Sequence, residues 1–295
     1  MEYIPAKHLL HRSKSTSWFG TDHTMNLYRG CCHGCLYCDS RSSCYQNPDF
    51  DRVKAKADAL RLLRDDLARK AKPVFITMGS MSDPYNPFEE ELQLTRHALE
   101  LINAYRCGVA VATKSDLIVR DIDLYRLIQD HSPVICKLTV TTTDDALAAE
   151  IEPHAPSPSR RLRALEELAK AGIFSGVLLM PVLPYVEDSA ENILSVVDRA
   201  ARAGARFVYA ACVVTMRDGQ RDYFLDGLDR VFPGMGERYR KKYGSRYYCS
   251  SPRAKELWEL FSARCRELGL LYEMRHIISA AARSYEDRQL SFFNE

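Results

Sequence analysis

No stretch of the chain approaches the ~18 consecutive apolar residues that a membrane-spanning helix needs. The N-terminus, MEYIPAKHLLHRSKS, has no apolar run ahead of its charges, so nothing in it reads as a leader. A soluble, unprocessed, cytoplasmic chain is expected. An excess of one charge is also missing: 41 Lys and Arg stand against 39 Asp and Glu, for a net charge of +2. Any polyanionic partner would therefore have to meet a local patch. Low-complexity tracts are absent, and 46% apolar residues over 295 positions suit one large core, with or without a small appended domain. Cysteine is not scarce. Ten are present, and four of them fall between Cys31 and Cys38. Secreted disulfide frameworks belong to short chains, so this crowding points to metal in a reducing compartment.

From about residue 73 onward, short apolar runs alternate with segments of helical period, the pattern of a parallel sheet with crossover helices. The runs are KPVFITM at 72–78, CGVAVAT at 107–113, PVICKLTVT at 133–141, FSGVLLMPV at 174–182 and ARFVYAACVV at 205–214. Between them, Val53, Ala57, Leu60, Leu63 and Leu67, then Leu92, Leu99 and Ile102, then Leu162, Leu165, Leu168 and Ala169 have helical spacing. Gly172 and Gly204 read as helix stops, and Asp188 with Glu191 as a capping-box-like start. A further strand at 24–28 makes about six strand–helix units, fewer than the eight of a closed barrel. The expected fold is α/β: a partial (β/α)6 TIM-like barrel with a C-terminal helical extension. Its expected parts are an N-terminal extension at 1–23, a core at 24–215 and an extension at 216–295. In that last part, glycines and a proline break the periodicity until a helix at about 252–268, with Leu257, Leu260, Phe261, Cys265 and Leu268 as its stripe.

The segment MNLYRGCCHGCLYCDSRS carries C-x3-C-x2-C at Cys31, Cys35 and Cys38. Thiolates ligate iron–sulfur clusters, and a short loop, tightened here by Gly30 and Gly34, can aim three of them at one face of a cube. The fourth iron is then open for chemistry. A zinc knuckle completed by His33, Cys32 or Cys44, or merely structural thiols, are the alternatives that spacing leaves open, although no second cysteine pair follows.

This motif, its place ahead of a strand–helix series and the phrase NLYRGCCHGCLYC resemble the radical SAM superfamily, in particular its spore photoproduct lyase-like branch. The resemblance runs from about Met25 to Val214, and RKKYGSRYYCSSP in the tail shares it. It implies a 4Fe-4S cluster on Cys31, Cys35 and Cys38. It also implies S-adenosylmethionine on the open iron, split after one-electron reduction into methionine and a radical that takes a hydrogen atom from the substrate.

The same resemblance assigns cofactor contacts at successive strand ends. Tyr37 takes the aromatic position near the adenine. In GSMSDP, Gly79 and Ser80 lead to Ser82 and Asp83, which would receive the methionine amino group. Lys114 matches a lysine that meets the cofactor carboxylate, with Ser115 beside it and Thr139 or Thr141 reaching the ribose or carboxylate. In MPVLP, Val182 and Leu183 would lie on the adenine side. Each segment also has a plain structural explanation: a Ser-Asp-Pro turn, a solvated lysine, a proline-ended strand.

Arg160, Arg161 and Arg163 open a helix against its dipole, as an anion site or a solvated face. The stretch at 238–248 interleaves Arg238, Arg240, Lys241, Lys242 and Arg246 with Tyr239, Tyr243, Tyr247 and Tyr248, a mixture found in single-stranded nucleic-acid grooves and on ordinary basic rims.

Three functions compete: a radical SAM enzyme acting on a nucleic acid or nucleotide, the same core acting on a peptide or metabolite, and a non-catalytic iron–sulfur or zinc protein. Cofactor-type residues at several strand ends favour the first two. Ser80 stands where spore photoproduct lyase carries a hydrogen-donating cysteine, which weakens a thymine-lesion lyase. Cys212, Cys249 or Tyr85 would then relay the radical. The expected partners are a reductant such as flavodoxin or ferredoxin and no membrane, and the expected state is a monomer.

Overall fold

The computed structural model describes residues 1–291, with side chains described as far as Arg283. Its main sheet holds six parallel strands, β1 (His23–Met25), β2 (Phe75–Met78), β3 (Gly108–Thr113), β4 (Val134–Thr139), β5 (Ser175–Leu179) and β6 (Phe207–Ala210), each beside its predecessor. The strand Leu10–Arg12 pairs antiparallel with β1 at the edge. Parallel neighbours require crossovers, and these are supplied by α1 (Ala59–Ala68), α2 (Leu94–Ala104), α3 (Ile122–Gln129), α4 (Pro158–Lys170) and α5 (Ala190–Arg202). All six strand C-termini consequently open on one rim, as in a partial barrel.

Alternation along the strands builds two cores. Val109, Val111, Cys136, Leu138, Val177 and Leu179 face the helices and meet Leu63, Leu99, Leu165 and Val196. The opposite positions, Ala110, Ile135 and Leu178, face the barrel interior. There Phe19, Phe174, Phe207 and Ile277 fill the end away from the rim. Shortening Leu165 or Leu168, both fully buried, to alanine removes about 2–5 kcal/mol of stability.

Several expectations shift in detail. The 24–28 strand is two pieces: β1 stays in the main sheet, and Tyr28–Arg29 pairs with Lys54–Lys56 in a separate three-stranded sheet with Glu2–Ile4. Val53 and Ala57 thus flank a strand, and α1 begins only at Ala59. The 205–214 run also divides, with Val213–Thr215 pairing with Tyr248–Ser250. The cap of α5 is Ser189, whose hydroxyl accepts the Asn192 N–H at 3.0 Å. Asp188 instead accepts the Tyr185 N–H and the Ser251 hydroxyl. The glycine-rich tail contains α6 (Gln220–Val231) and α7 (Met235–Tyr243), which the broken periodicity concealed, before α8 (Ala254–Glu267). Leu257, Phe261 and Cys265 of α8 are buried, whereas Leu268 lies beyond its end and is exposed.

Candidate active site

The cysteine loop is held by main-chain bonds: Cys31 N–H donates to Phe50 O at 2.8 Å, and Leu36 N–H to Ile151 O at 2.9 Å. Gly30 and Gly34 both have positive φ. From behind, α6 and α7 buttress the loop, with Phe224, Leu228 and Tyr239 packed in one cluster with Cys35, Leu36 and Tyr37. Cys31, Cys35 and Cys38 then line a single cavity of about 570 Å³ at the strand-end rim.

Cys32 faces a different cleft beside Gly34 and His154, and Cys44 is exposed near Arg217. Among the described residues no three His, Cys, Asp or Glu side chains, the three cavity cysteines included, close around a single ion; a 4Fe-4S cluster instead takes each thiolate on a different iron. All three cavity cysteines are free thiols. Burial pushes Cys31 and Cys35 up to about 12 and Cys38 to about 11, so as bare thiols they keep their protons. A metal cluster supplies the positive charge that makes buried thiolates stable, and the donor set fits one.

Opposite the thiols lies the GSMSDP loop. Gly79, at φ +89°, passes so close to β3 that a Cβ there would fall 1.9 Å from Ala112 O. Asp83 clamps this loop to the end of β3: it accepts from Tyr85 N–H at 2.8 Å, Thr113 Oγ1 at 2.6 Å and Lys114 N–H at 2.9 Å. The imidazole of His33, also on the cavity wall, stands 3.5 Å from the same carboxylate, and burial lowers its pKa despite Asp83. Ser82 donates to Tyr28 O at 3.0 Å, and Ser80 lies 3.3 Å from the Thr24 hydroxyl.

A buried charged network forms the third side. Tyr37 donates its hydroxyl to Glu152, and Arg161 sits 2.5 Å from the same carboxylate while donating to Thr139 O at 2.9 Å. The Lys114 amine is 3.8 Å from Glu152 and 5.2 Å from the centre of the Tyr37 ring. Burial alone would lower its pKa, but Cys35 and Glu152 outweigh that and raise it, so Lys114 is a fixed cation. A substrate or cofactor carboxylate entering the cavity meets this charge in a low-dielectric wall.

Of the residues expected from the sequence, Tyr37, Gly79, Ser80, Ser82, Asp83, Lys114 and Thr139 line the cavity with the three cysteines. Others do not. The Ser115 hydroxyl caps the next helical turn by accepting Leu117 N–H, and Thr141 is buried against Glu187. Val182 belongs to the main core and Leu183 to the cluster behind the loop, whereas Met180 and Pro181 of the same segment reach the wall. Tyr85 is buried, donating to Asp121 at 2.9 Å with Tyr125 at 2.7 Å. Cys212 packs against the main core between the wall residues Ala211 and Val213, and Cys249 is buried behind Tyr248, which takes the cavity side of the strand. Among the described residues the wall thus carries no thiol besides the three in the loop.

The arginine group also resolves. Arg161 is the buried partner of Glu152, Arg160 pairs with Asp116 at 2.8 Å, and Arg163 is exposed. Tyr239 and Tyr243 are core residues, which leaves Tyr247 and Tyr248 as the outward rings of their stretch. Trp18 and Tyr248 stand on the cavity wall without having been singled out for it. Trp18 lies outside every periodic segment, so nothing in the sequence pointed to it.

The sequence model of the radical SAM superfamily matches residues 25–197. The chain belongs to the radical SAM superfamily. Its family uses a 4Fe-4S cluster and S-adenosylmethionine, and Cys31, Cys35 and Cys38 of the family's motif line the cavity. An uncharacterised protein of Mycobacterium tuberculosis (strain ATCC 25618 / H37Rv) is 30% identical over 228 residues, 75% of this chain and 67% of that one. Another, from Methanocaldococcus jannaschii, is 32% identical over 169 residues, 57% of this chain and 63% of that one. Among solved structures, spore photoproduct lyase complexed with dinucleoside spore photoproduct superposes with a TM-score of 0.66 at 16% identity, over 92% of this chain and 81% of that one. The radical S-adenosylmethionine methyltransferase TsrM from Kitasatospora setae gives 0.58 at 11% identity, over 91% and 61%. At such identities the likeness establishes the fold. No helix among the described residues is long and apolar enough to cross a membrane.

Proposed function

We propose that this radical SAM enzyme takes a hydrogen atom from a nucleotide or nucleic-acid substrate, within a cavity where Cys31, Cys35 and Cys38 hold the cluster. The observation that carries this reading is the convergence of three thiols, the Lys114 cation and the Gly79–Asp83 loop on one space at the strand-end rim. When bound, the reduced cluster supplies the electron that splits S-adenosylmethionine to methionine and a 5′-deoxyadenosyl radical. Lys114 binds the cofactor carboxylate, Ser82 and the clamped loop around Asp83 orient its amino group, and Tyr37 packs beside the adenine. The wall residues Met180 and Pro181 take the apolar contacts that MPVLP was expected to provide.

The substrate class rests on the mouth of the cavity. Tyr248 offers an exposed ring there, Trp18 adds a half-buried one to the cavity wall, and Arg217 lies 5.4 Å from the ring of Tyr247, next to Tyr248. Aromatic faces with adjacent guanidinium groups suit bases and phosphates. Spore photoproduct lyase, of the same fold, has been captured with a dinucleoside. A cytoplasmic monomer reduced by flavodoxin or ferredoxin completes the proposal. The test is to incubate the reconstituted enzyme anaerobically with S-adenosylmethionine deuterated at C5′ and fractionated cellular nucleotides, nucleic acids, peptides and metabolites. Label exchange or 5′-deoxyadenosine stimulated by a nucleotide fraction supports the reading. Stimulation confined to peptides or metabolites contradicts it.

A further inference from the structure

Lys137 sits in the middle of β4 on the face turned to the barrel interior. Its chain neighbours Cys136 and Leu138 point to the helices, while Ile135, two residues back, shares the interior with Phe19. The side chain is fully buried, and its Nζ has no hydrogen-bond partner among the described residues. Its register partners on the flanking strands are Ala112 and Gly176, the two smallest side chains available. The ring of Phe19 lies 4.3 Å from the amine and gives it cation–π contact and nothing polar.

A core position that needed only volume would be met by methionine or leucine, without an unpaired amine. Thr139, the next interior residue of β4, lines the active cavity, as do Ala112 and Leu178. So does Trp18, whose ring meets Phe19 edge-on at 4.9 Å. The amine therefore lies beneath these wall residues, beside the ring of Phe19.

We propose that Lys137 is the substrate's anion anchor: a carboxylate or phosphate oxygen of the substrate passes between Ala112, Thr139 and Leu178 and pairs with its ammonium group. The inference rests on the reading of this cavity as the substrate site and adds the chemistry that the floor selects. Burial pushes Lys137 down to about 7, a shift that the buried Cys136 thiol on the opposite face of the strand offsets only in part. An arriving anion restores the proton, so binding takes up protons above neutral pH.

The experiment uses cluster-loaded protein and follows its thermal midpoint with inorganic phosphate, acetate and uncharged acetamide, chloride holding ionic strength constant. Phosphate or acetate is expected to raise the midpoint while acetamide does not. A response to phosphate alone assigns a phosphoryl group, and a response to acetate alone a carboxylate. Lys137→Met should raise the midpoint without anion and abolish the response. Calorimetry of the effective anion at pH 8, in two buffers of different ionisation heat, should show proton uptake by the unaltered protein, which needs no variant. The proposal is overturned if neither anion acts, if the response survives in Lys137→Met, or if that variant is less stable, as a purely structural lysine would make it. The radical SAM reading is checked separately, by 5′-deoxyadenosine formed without substrate.

Discussion

Arg161 Nη2 lies 2.5 Å from Glu152 Oε2, with both side chains buried, and this pair fixes the wall from which Lys114 faces the cysteine loop and on which the hydroxyl of that loop's Tyr37 is held. Removing one partner of a buried pair leaves the other charge without compensation, at a cost of about 3–5 kcal/mol. Glu152→Gln strands Arg161 and Lys114 together. Its thermal midpoint should fall markedly, and cofactor affinity should fall with it because Lys114 and Tyr37 lose the charged group that positions them. Equal stability of variant and parent in denaturant titration would show that the network is not held by this carboxylate.

Lys114→Ala should leave the cluster assembled, with its iron content and optical spectrum unchanged, yet weaken S-adenosylmethionine binding. A charged hydrogen bond to the carboxylate contributes about 1.5–3 kcal/mol, so an increase in Kd of about tenfold or more is expected. An unchanged Kd by equilibrium binding would place the carboxylate elsewhere on the wall.

Two buried groups give stability opposite slopes with pH. Burial raises Glu187 to about 8 from the usual carboxylate range. A raised acid contributes stability that is complete below about pH 4.5 and declines as pH rises through 8, so Glu187→Gln should flatten that fall. Lys137, lowered to about 7, behaves in the reverse sense, its contribution growing from pH 7 toward 10.5. The stability advantage of Lys137→Met should thus be greatest below pH 7 and shrink toward pH 10. Parallel curves in chemical denaturation from pH 5 to 10 would contradict both assignments.

Much of this architecture was readable because apolar runs and helical periods report strands and helices directly, and the cysteine spacing places the loop at the right rim. The failures share a physical cause. Gly227 lies inside α6, where a Cβ would come 2.8 Å from Leu36, so the glycine serves helix-to-loop contact and not a break. Within MPVLP, the path of the chain beyond β5 decides which side chains reach the cavity. It sends Met180 inward and Val182 into the core, a distinction invisible without the register. Glu152 and Arg161 are nine residues apart and meet only because α4 folds back on its preceding loop. Lys137 reads as one polar residue in a buried run, and nothing local marks it as unpaired.

Ser80 occupies the cavity wall where a thiol would be needed to return a hydrogen atom to a repaired thymine, and the structure places Cys212 and Cys249 off that wall. A serine O–H bond is much stronger than a thiol S–H bond. Supplied with dinucleoside spore photoproduct, reductant and cofactor, the enzyme should form 5′-deoxyadenosine without releasing thymidine at a comparable rate. Multiple clean turnovers would require another donor, and the Tyr248 hydroxyl, on a wall residue, is one such group.

The claim on which the rest depends is that Cys31, Cys35 and Cys38, and not Cys32 or Cys44, hold a cluster that cleaves S-adenosylmethionine. The most direct measurement is anaerobic reconstitution of the protein and of the five cysteine-to-alanine variants, followed by quantifying iron and 5′-deoxyadenosine after reduction. About four irons per chain and steady 5′-deoxyadenosine are expected for the parent, Cys32→Ala and Cys44→Ala, with both lost in the other three. Stoichiometric zinc, or a reducible cluster that forms no 5′-deoxyadenosine, would contradict the account.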